Sequence, residues 1–174
     1  QVRNDLSFAI EIVLSYSSWE SDVHLGPIKE GETFDVPLLC SYATTMKVRP
    51  SEVPFDWTNG IDCNVQTYNF SSTMDLRCDA EASAPLCIRA VVSQVDKSLL
   101  ISLSSYIVIA NRMPCDLRFR MSSRDNRVED GAVQCGDLFK LAYLDYTCQP
   151  KLSVCIGEDF KWSRPVLIDC SSNK

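Results

Sequence analysis

Histidine is almost missing: the 174 residues hold one, His24. A Ser-His-Asp or Cys-His site would have to use it. It stands in ESDVHLGP, a polar loop entering a strand. No GxSxG, P-loop, HExxH or GxGxxG occurs either, so neither catalysis nor a cofactor is expected. Carboxylate pairs such as Glu20 and Asp22 read equally well as solubilising loop residues. No CxxC pair exists, and Cys148/Cys155 and Cys78/Cys87 are spaced too widely for a zinc knuckle, so no metal site is expected. No apolar run reaches the roughly 18 residues of a membrane span, and direct membrane insertion is not expected. Six Gly and eight Pro are too few for a collagen-like or low-complexity chain. The start, QVRNDLSFAIEI, lacks the basic residues and cleavage site of a signal peptide. It also lacks a Met, which points to a piece of a longer chain or a matured one.

Basic charge is in short supply too. Lys and Arg number 17 against 23 Asp and Glu, a net charge of −6. Gripping phosphates draws on Lys and Arg, so nucleic acid is not an expected partner. The densest basic stretch is Arg112, Arg118, Arg120, Arg124 and Arg127. Arg118 and Arg120 alternate there with Leu117, Phe119 and Met121, the pattern of a solvated strand face.

What is present is apolar content for a packed chain: 45% hydrophobic and 23% charged, enough for one domain or two small ones. Cysteine is abundant at nine. An odd count leaves at least one thiol unpaired in a monomer. Several cysteines fall inside apolar strand patterns, Cys40 and Cys155 among them, where a free thiol behaves as a small hydrophobe. The reading is of reduced thiols in an intracellular protein; the rival is a secreted disulfide scaffold. Asn69-Phe70-Ser71 is a glycosylation sequon, a triplet common by chance.

The apolar period is two. Phe8, Ile10, Ile12 and Leu14 alternate with Ala9, Glu11, Val13 and Ser15, and Met74, Leu76 and Cys78 alternate with Asp75, Arg77 and Asp79. Residues 115–122, 152–156 and 166–168 behave alike, each as a strand with one buried face. Segment 99–110, LLISLSSYIVIA, reads as one central strand or as two with a bend near Ser104-Ser105. Turn signals recur between the strands, and no stretch carries a capped helical stripe. The predicted fold is all-β and sandwich-like.

The strands also repeat. Asn4 matches Asn111, and Ile10-Glu11-Ile12 matches Leu117-Arg118-Phe119, both at an offset of 107. Lys29-Glu30-Gly31 resembles Glu129-Asp130-Gly131 at an offset of 100, and Phe55-Asp56-Trp57-Thr58 matches Phe160-Lys161-Trp162-Ser163 at 105. These matches predict two tandem small β-sandwich-like repeats, residues 1–98 and 99–174. The second reads as truncated, either because the chain ends inside a repeat or because neighbours share strands.

An Asn closing an apolar strand, followed by an alternating strand, is a family mark. YIVIANRMPCDLRFR, residues 106–120, resembles the adaptor-binding (VAB) domain of the Vps thirteen family of bridge-like lipid transfer proteins. Asn111 fits the characteristic Asn of its six related repeats, and Asn4 fits it in VRNDLSFAIEIVL. GPIKEGETFDVPL with MKVRPS, and FKWSRPVLI, also fit, and the likeness runs through most of the chain. It implies a protein-interaction module that binds Pro-x-Pro segments of organelle adaptor proteins and recruits the lipid transfer protein to membrane contact sites. The setting implied is cytoplasmic and peripheral, with lipid handled by other parts of the protein. Asn4 and Asn111 are read as fold-critical, either by bonding neighbouring backbone or by touching the adaptor; their turn positions favour the first. Phe55, Trp57, Phe160 and Trp162 are read as signature core aromatics. The rival function is a secreted tandem Ig-like receptor or adhesion fragment. Its Cys-Trp-Cys spacing is imitated by Cys40, Trp57 and Cys78, but not by Cys148, Trp162 and Cys170.

Overall fold

The computed structural model describes residues 1–17, 21–64, 71–79, 85–95, 98–124, 128–141, 149–157 and 160–169. Cys148, Cys170, Glu20, Arg127 and the sequon asparagine Asn69 lie outside these residues. The chain divides into two compact units, Gln1–Ser105 and Tyr106–Lys174.

The first unit is a two-sheet β-sandwich. One sheet holds β1 (Val2–Asp5), β4 (Thr33–Phe34), β7 (Ser71–Cys78), β8 (Leu86–Val95) and β9 (Ser98–Ser105), in the order β4-β1-β9-β8-β7. All neighbours are antiparallel except β1 and β9, which run parallel with Val2 opposite Ile101. The second sheet holds β2 (Ile10–Ser15), β3 (Val23–Ile28), β5 (Thr45–Pro50) and β6 (Ile61–Asp62), in the order β3-β2-β5-β6. The alternation seen in the sequence is the reason. Ile10, Ile12 and Leu14 of β2 and Met46 and Val48 of β5 are buried, and the intervening Glu11 and Arg49 pair on the outer face. Each buried aliphatic side chain contributes about 1.5–3 kcal/mol, against about 0.2–1 kcal/mol for a surface ion pair, so the apolar face decides the register. Leu76, Ile88, Ala90, Val92, Ile101 and Leu103 supply the core from the other sheet. The sheets meet where the Cys78 Sγ lies 3.6 Å from the Val48 carbonyl.

Segment 99–110 resolves into two strands. β9 ends at Ser105, and β10 (Ile107–Ala110) opens the second unit beyond Tyr106. There β10 pairs with β13 (Leu138–Leu141), and a second sheet runs β12 (Val128–Val133), β11 (Leu117–Ser122), β14 (Lys151–Ile156), β15 (Val166–Leu167). Phe119 and Phe139 bridge the two sheets with ring centroids 4.8 Å apart. The core comprises Ile109, Leu117, Phe119, Met121, Val133 and Leu141.

The six strands of the second unit correspond in order and pairing to β1 through β6 of the first. Val2 faces Phe34 as Ile109 faces Phe139, and Ile10 faces Pro50 as Leu117 faces Ile156. Among the described residues the second unit has no counterpart of β7, β8 or β9.

Candidate functional site

Asn4 and Asn111 make the same five bonds. The Asn4 Nδ2 donates to the carbonyls of Phe8 and Ile28, both at 2.9 Å, and its Oδ1 accepts from the Leu6 amide at 3.0 Å. The Asn111 Nδ2 donates to Cys115 at 2.9 Å and Val133 at 2.8 Å, and its Oδ1 accepts from Met113 at 2.9 Å. The backbone repeats too. Asn4 N–H donates to Glu32 and its carbonyl accepts from Gly31; Asn111 does the same with Asp137 and Gly136. Both side chains are buried, at 0% and 1% exposure. Each therefore brackets three backbone segments: the loop after its own strand, the end of β3 or β12, and the turn that follows. A buried carbonyl left without a donor costs about 1–3 kcal/mol, so these bonds hold each repeat together.

The turn in the bracket corrects one match made on sequence. The counterpart of Gly31 is Gly136, not Gly131. Gly31 and Gly136 adopt φ of 73° and 84°, a region that glycine enters at little cost. Gly131 instead faces Phe119, where an added Cβ would stand 2.5 Å from the ring.

Thr58 and Ser163 form a second shared device. The Thr58 hydroxyl accepts from the Val48 amide at 2.9 Å while the Thr58 amide donates to the Val48 carbonyl. Ser163 bonds Val154 in the same two ways, at 3.0 and 2.8 Å. Threonine and serine both serve here, because the bond uses the hydroxyl that they share.

The aromatic signature residues separate. Phe55 is buried at 4% exposure, beside the link from the Asp56 amide to the Asp79 carbonyl at the end of β7. Phe160 is 67% exposed, in a unit with no counterpart of β7 among its described residues. Placing Phe160 in the core is therefore corrected. Trp57 and Trp162, also read as core, are instead half-buried on the outer sheet faces, under the arginines of the neighbouring strands. The Arg49 guanidinium sits 4.4 Å above the Trp57 ring and grips Glu11 through two nitrogens, and His24 lies 5.6 Å away. Trp162 lies under Arg120 at 4.6 Å and Arg118 at 5.8 Å. Arg120 forks onto Asp130 at 3.0 and 3.2 Å, which raises its pKa further above the ordinary guanidinium value. The tryptophans and the solvated face of Arg118 and Arg120 were visible in the sequence, but not their stacking, which brings β11 over Trp162 from about forty residues away and folds Trp57 back onto Arg49 of the strand just before it.

The seven described cysteines are free thiols. Burial, with the nearby Cys87, Asp79 and Asp56, pushes Cys78 up to about 12, and burial beside Asp62 pushes Cys63 up to about 11. Such thiols are neutral at pH 7 and poor nucleophiles. Among the described residues no cluster of three or more His, Cys, Asp or Glu is placed to hold a metal ion, and no helix is long and apolar enough to cross a membrane.

What the arrangement provides is a set of β-sandwich surfaces with open sheet edges. The whole chain, residues 1–174, matches the family model of the adaptor binding domain of vacuolar-sorting associated protein 13. The chain belongs to this family. A search of curated proteins returned no match. The asparagine brackets are thus internal fasteners of an adaptor-binding domain, with every side-chain bond spent on main-chain atoms of their own repeat.

Proposed function

We propose that this adaptor-binding domain captures short Pro-x-Pro segments of organelle adaptor proteins, and so recruits a lipid transfer protein to membrane contact sites. The family match over residues 1–174 carries this reading. The all-β architecture supports it. An extended peptide adds to a sheet edge through backbone bonds, with pockets for alternate side chains giving specificity. Proline in the peptide lowers the entropy lost on binding. In this reading the domain performs no catalysis and works at the cytoplasmic surface of organelles. The two repeats act in succession, and their boundary, read from sequence at 98/99, moves to Ser105/Tyr106 because β9 pairs with β1 and β8 of the first unit. Asn4 and Asn111 serve adaptor binding through the fold of their repeats. The test is fluorescence anisotropy of labelled Pro-x-Pro peptides against Pro→Ala controls. Saturable binding that the Pro→Ala change removes supports the reading; equal binding of both peptides, or none by folded protein, overturns it. The free state of seven described cysteines speaks against the secreted disulfide-linked rival. A denatured thiol count near nine, from an oxidising expression host, would separate the two.

A further inference from the structure

One end of the first unit carries a feature that the adaptor reading does not use. A cavity of about 360 Å³ opens between its two sheets. Val2 and Ile101 wall it from one sheet, Leu14 and Met46 from the other, and all four are buried. Leu38 stands at its mouth on a single 3-10 turn, Leu38–Cys40. Leu38, Leu39 and Tyr42 are 86%, 83% and 84% exposed. Three large apolar side chains this bare within five residues are unusual for a solvated loop.

The loop is built to present them. Backbone bonds run from Cys40 to Pro37, Ser41 to Leu38 and Ala43 to Cys40, and the Ser41 hydroxyl donates to the Leu38 carbonyl at 2.7 Å. Cys40 turns inward as the buried anchor. A surface held in its bound shape loses little entropy when it is covered.

Charge selects the occupant. Asp35 is the single charged side chain among the described residues lining the cavity, where it accepts from the Gln1 Nε2 at 2.9 Å. The Gln1 ammonium beside it donates to the Leu99 carbonyl at 2.8 Å, and exposed Asp62 adjoins the lining residue Cys63, so the two carboxylates outnumber that ammonium. Two copies of the patch would bring like charges together, which disfavours self-association. An acidic rim is also repelled by anionic lipid. A peptide with an apolar anchor beside Lys or Arg meets both the walls and the rim.

We propose that the cavity behind Leu38 and its acidic rim form a second peptide-docking site, taking one apolar anchor residue flanked by a basic side chain. The site needs no proline, so it stands apart from Pro-x-Pro capture and is tested without it. The probe is the peptide Gly-Ser-Arg-Leu-Arg-Ser-Gly, titrated into the isotope-labelled whole chain and followed by amide chemical shifts. Saturable shifts centred on Leu38, Ala43 and Met46 are expected. Replacing the peptide's Leu by Ser should abolish them, and replacing its two Arg by Glu should weaken binding about tenfold. The double variant Leu38→Ser/Leu39→Ser alters only exposed side chains and should keep its melting temperature, while binding weakens by about tenfold or more. The site is overturned if the peptide causes no shifts, or if shifts persist unchanged in the double variant. Two further results overturn it and reassign the patch. One is sedimentation with phosphatidylcholine–phosphatidylserine vesicles that depends on Leu38 and Leu39; the other is dimerisation with the same dependence. A Pro-x-Pro peptide that binds equally to the wild-type chain and the double variant leaves the adaptor reading standing, whatever happens here.

Discussion

The two units share a frame but not a core. Both carry the asparagine bracket, the positive-φ glycine and the hydroxyl on the middle of a strand. Yet Met46, Val48, Phe55 and Ile61 of the first unit are buried, while Leu152 and Val154 of the second are only partly covered, and Phe160 and Val166 are 67% and 61% exposed. The difference tracks one thing. The first unit folds β7, β8 and β9 over these residues, and the described part of the second has no equivalent strands. Polar fastening and apolar burial are therefore separable layers of this repeat. Hydrogen bonds define the path of the chain, and the added strands supply the dry interior.

Substitutions at paired positions press on that separation, beginning with the largest effect. Met46→Ala removes a fully buried side chain and should cost about 2–5 kcal/mol; Leu152→Ala, half-covered already, should cost less than half as much. Urea unfolding of both variants reads the gap, and equal losses would mean the second unit is covered as well as the first. Next come Asn4→Ala and Asn111→Ala. Each strands two carbonyls and an amide, about 2–4 kcal/mol once partial rehydration is allowed, and the two should match because the bonds match. Hydrogen exchange should show each loss confined to its own unit; a loss that spreads evenly over both would break the idea of independent frames. Smaller still are Gly31→Ala and Gly136→Ala. An added Cβ meets nothing at either site, so only the left-handed backbone is penalised, by about 1–2 kcal/mol. Gly131→Ala should cost more than Gly136→Ala, since its Cβ must displace the Phe119 ring.

The finest comparison is alkaline. Cys78 has its folded pKa raised from about 9 to about 12. A group raised in the folded state lends stability that is fully present below the unfolded value and is lost as pH climbs through the folded one. Stability should therefore fall between about pH 9 and 12, and Cys78→Ala should flatten that limb. A thiol reagent at pH 8 should label exposed Cys135 of the second unit first and buried Cys78 among the last.

Much of the fold was legible because strands with one wet face declare themselves by alternation. Ile10-x-Ile12-x-Leu14 and Leu117-x-Phe119-x-Met121 needed nothing else. The asparagines were visible as a recurring letter, but their partners at Ile28 and Val133 were not, since bonds to main chain leave no trace in side-chain identity. The glycine match failed for a related reason: a polar-polar-Gly triplet does not reveal φ, and Gly131 lies in a strand while Gly136 turns. Phe160 misled because its burial depends on strands remote in sequence. Cys40, after Pro37-Leu38-Leu39, read as part of an apolar strand, yet the run forms a tight 3-10 turn in which only Cys40 is buried.

The asparagine bracket has a consequence for how such a chain can change over time. It addresses Leu6, Phe8 and Ile28 in one unit and Met113, Cys115 and Val133 in the other, six residues with no identity shared between matching positions. Because it reads only peptide groups, it places no demand on the letters around it. A duplicated module fastened this way is free to drift nearly everywhere else, and so to present a different outer surface in each copy while keeping one folding instruction.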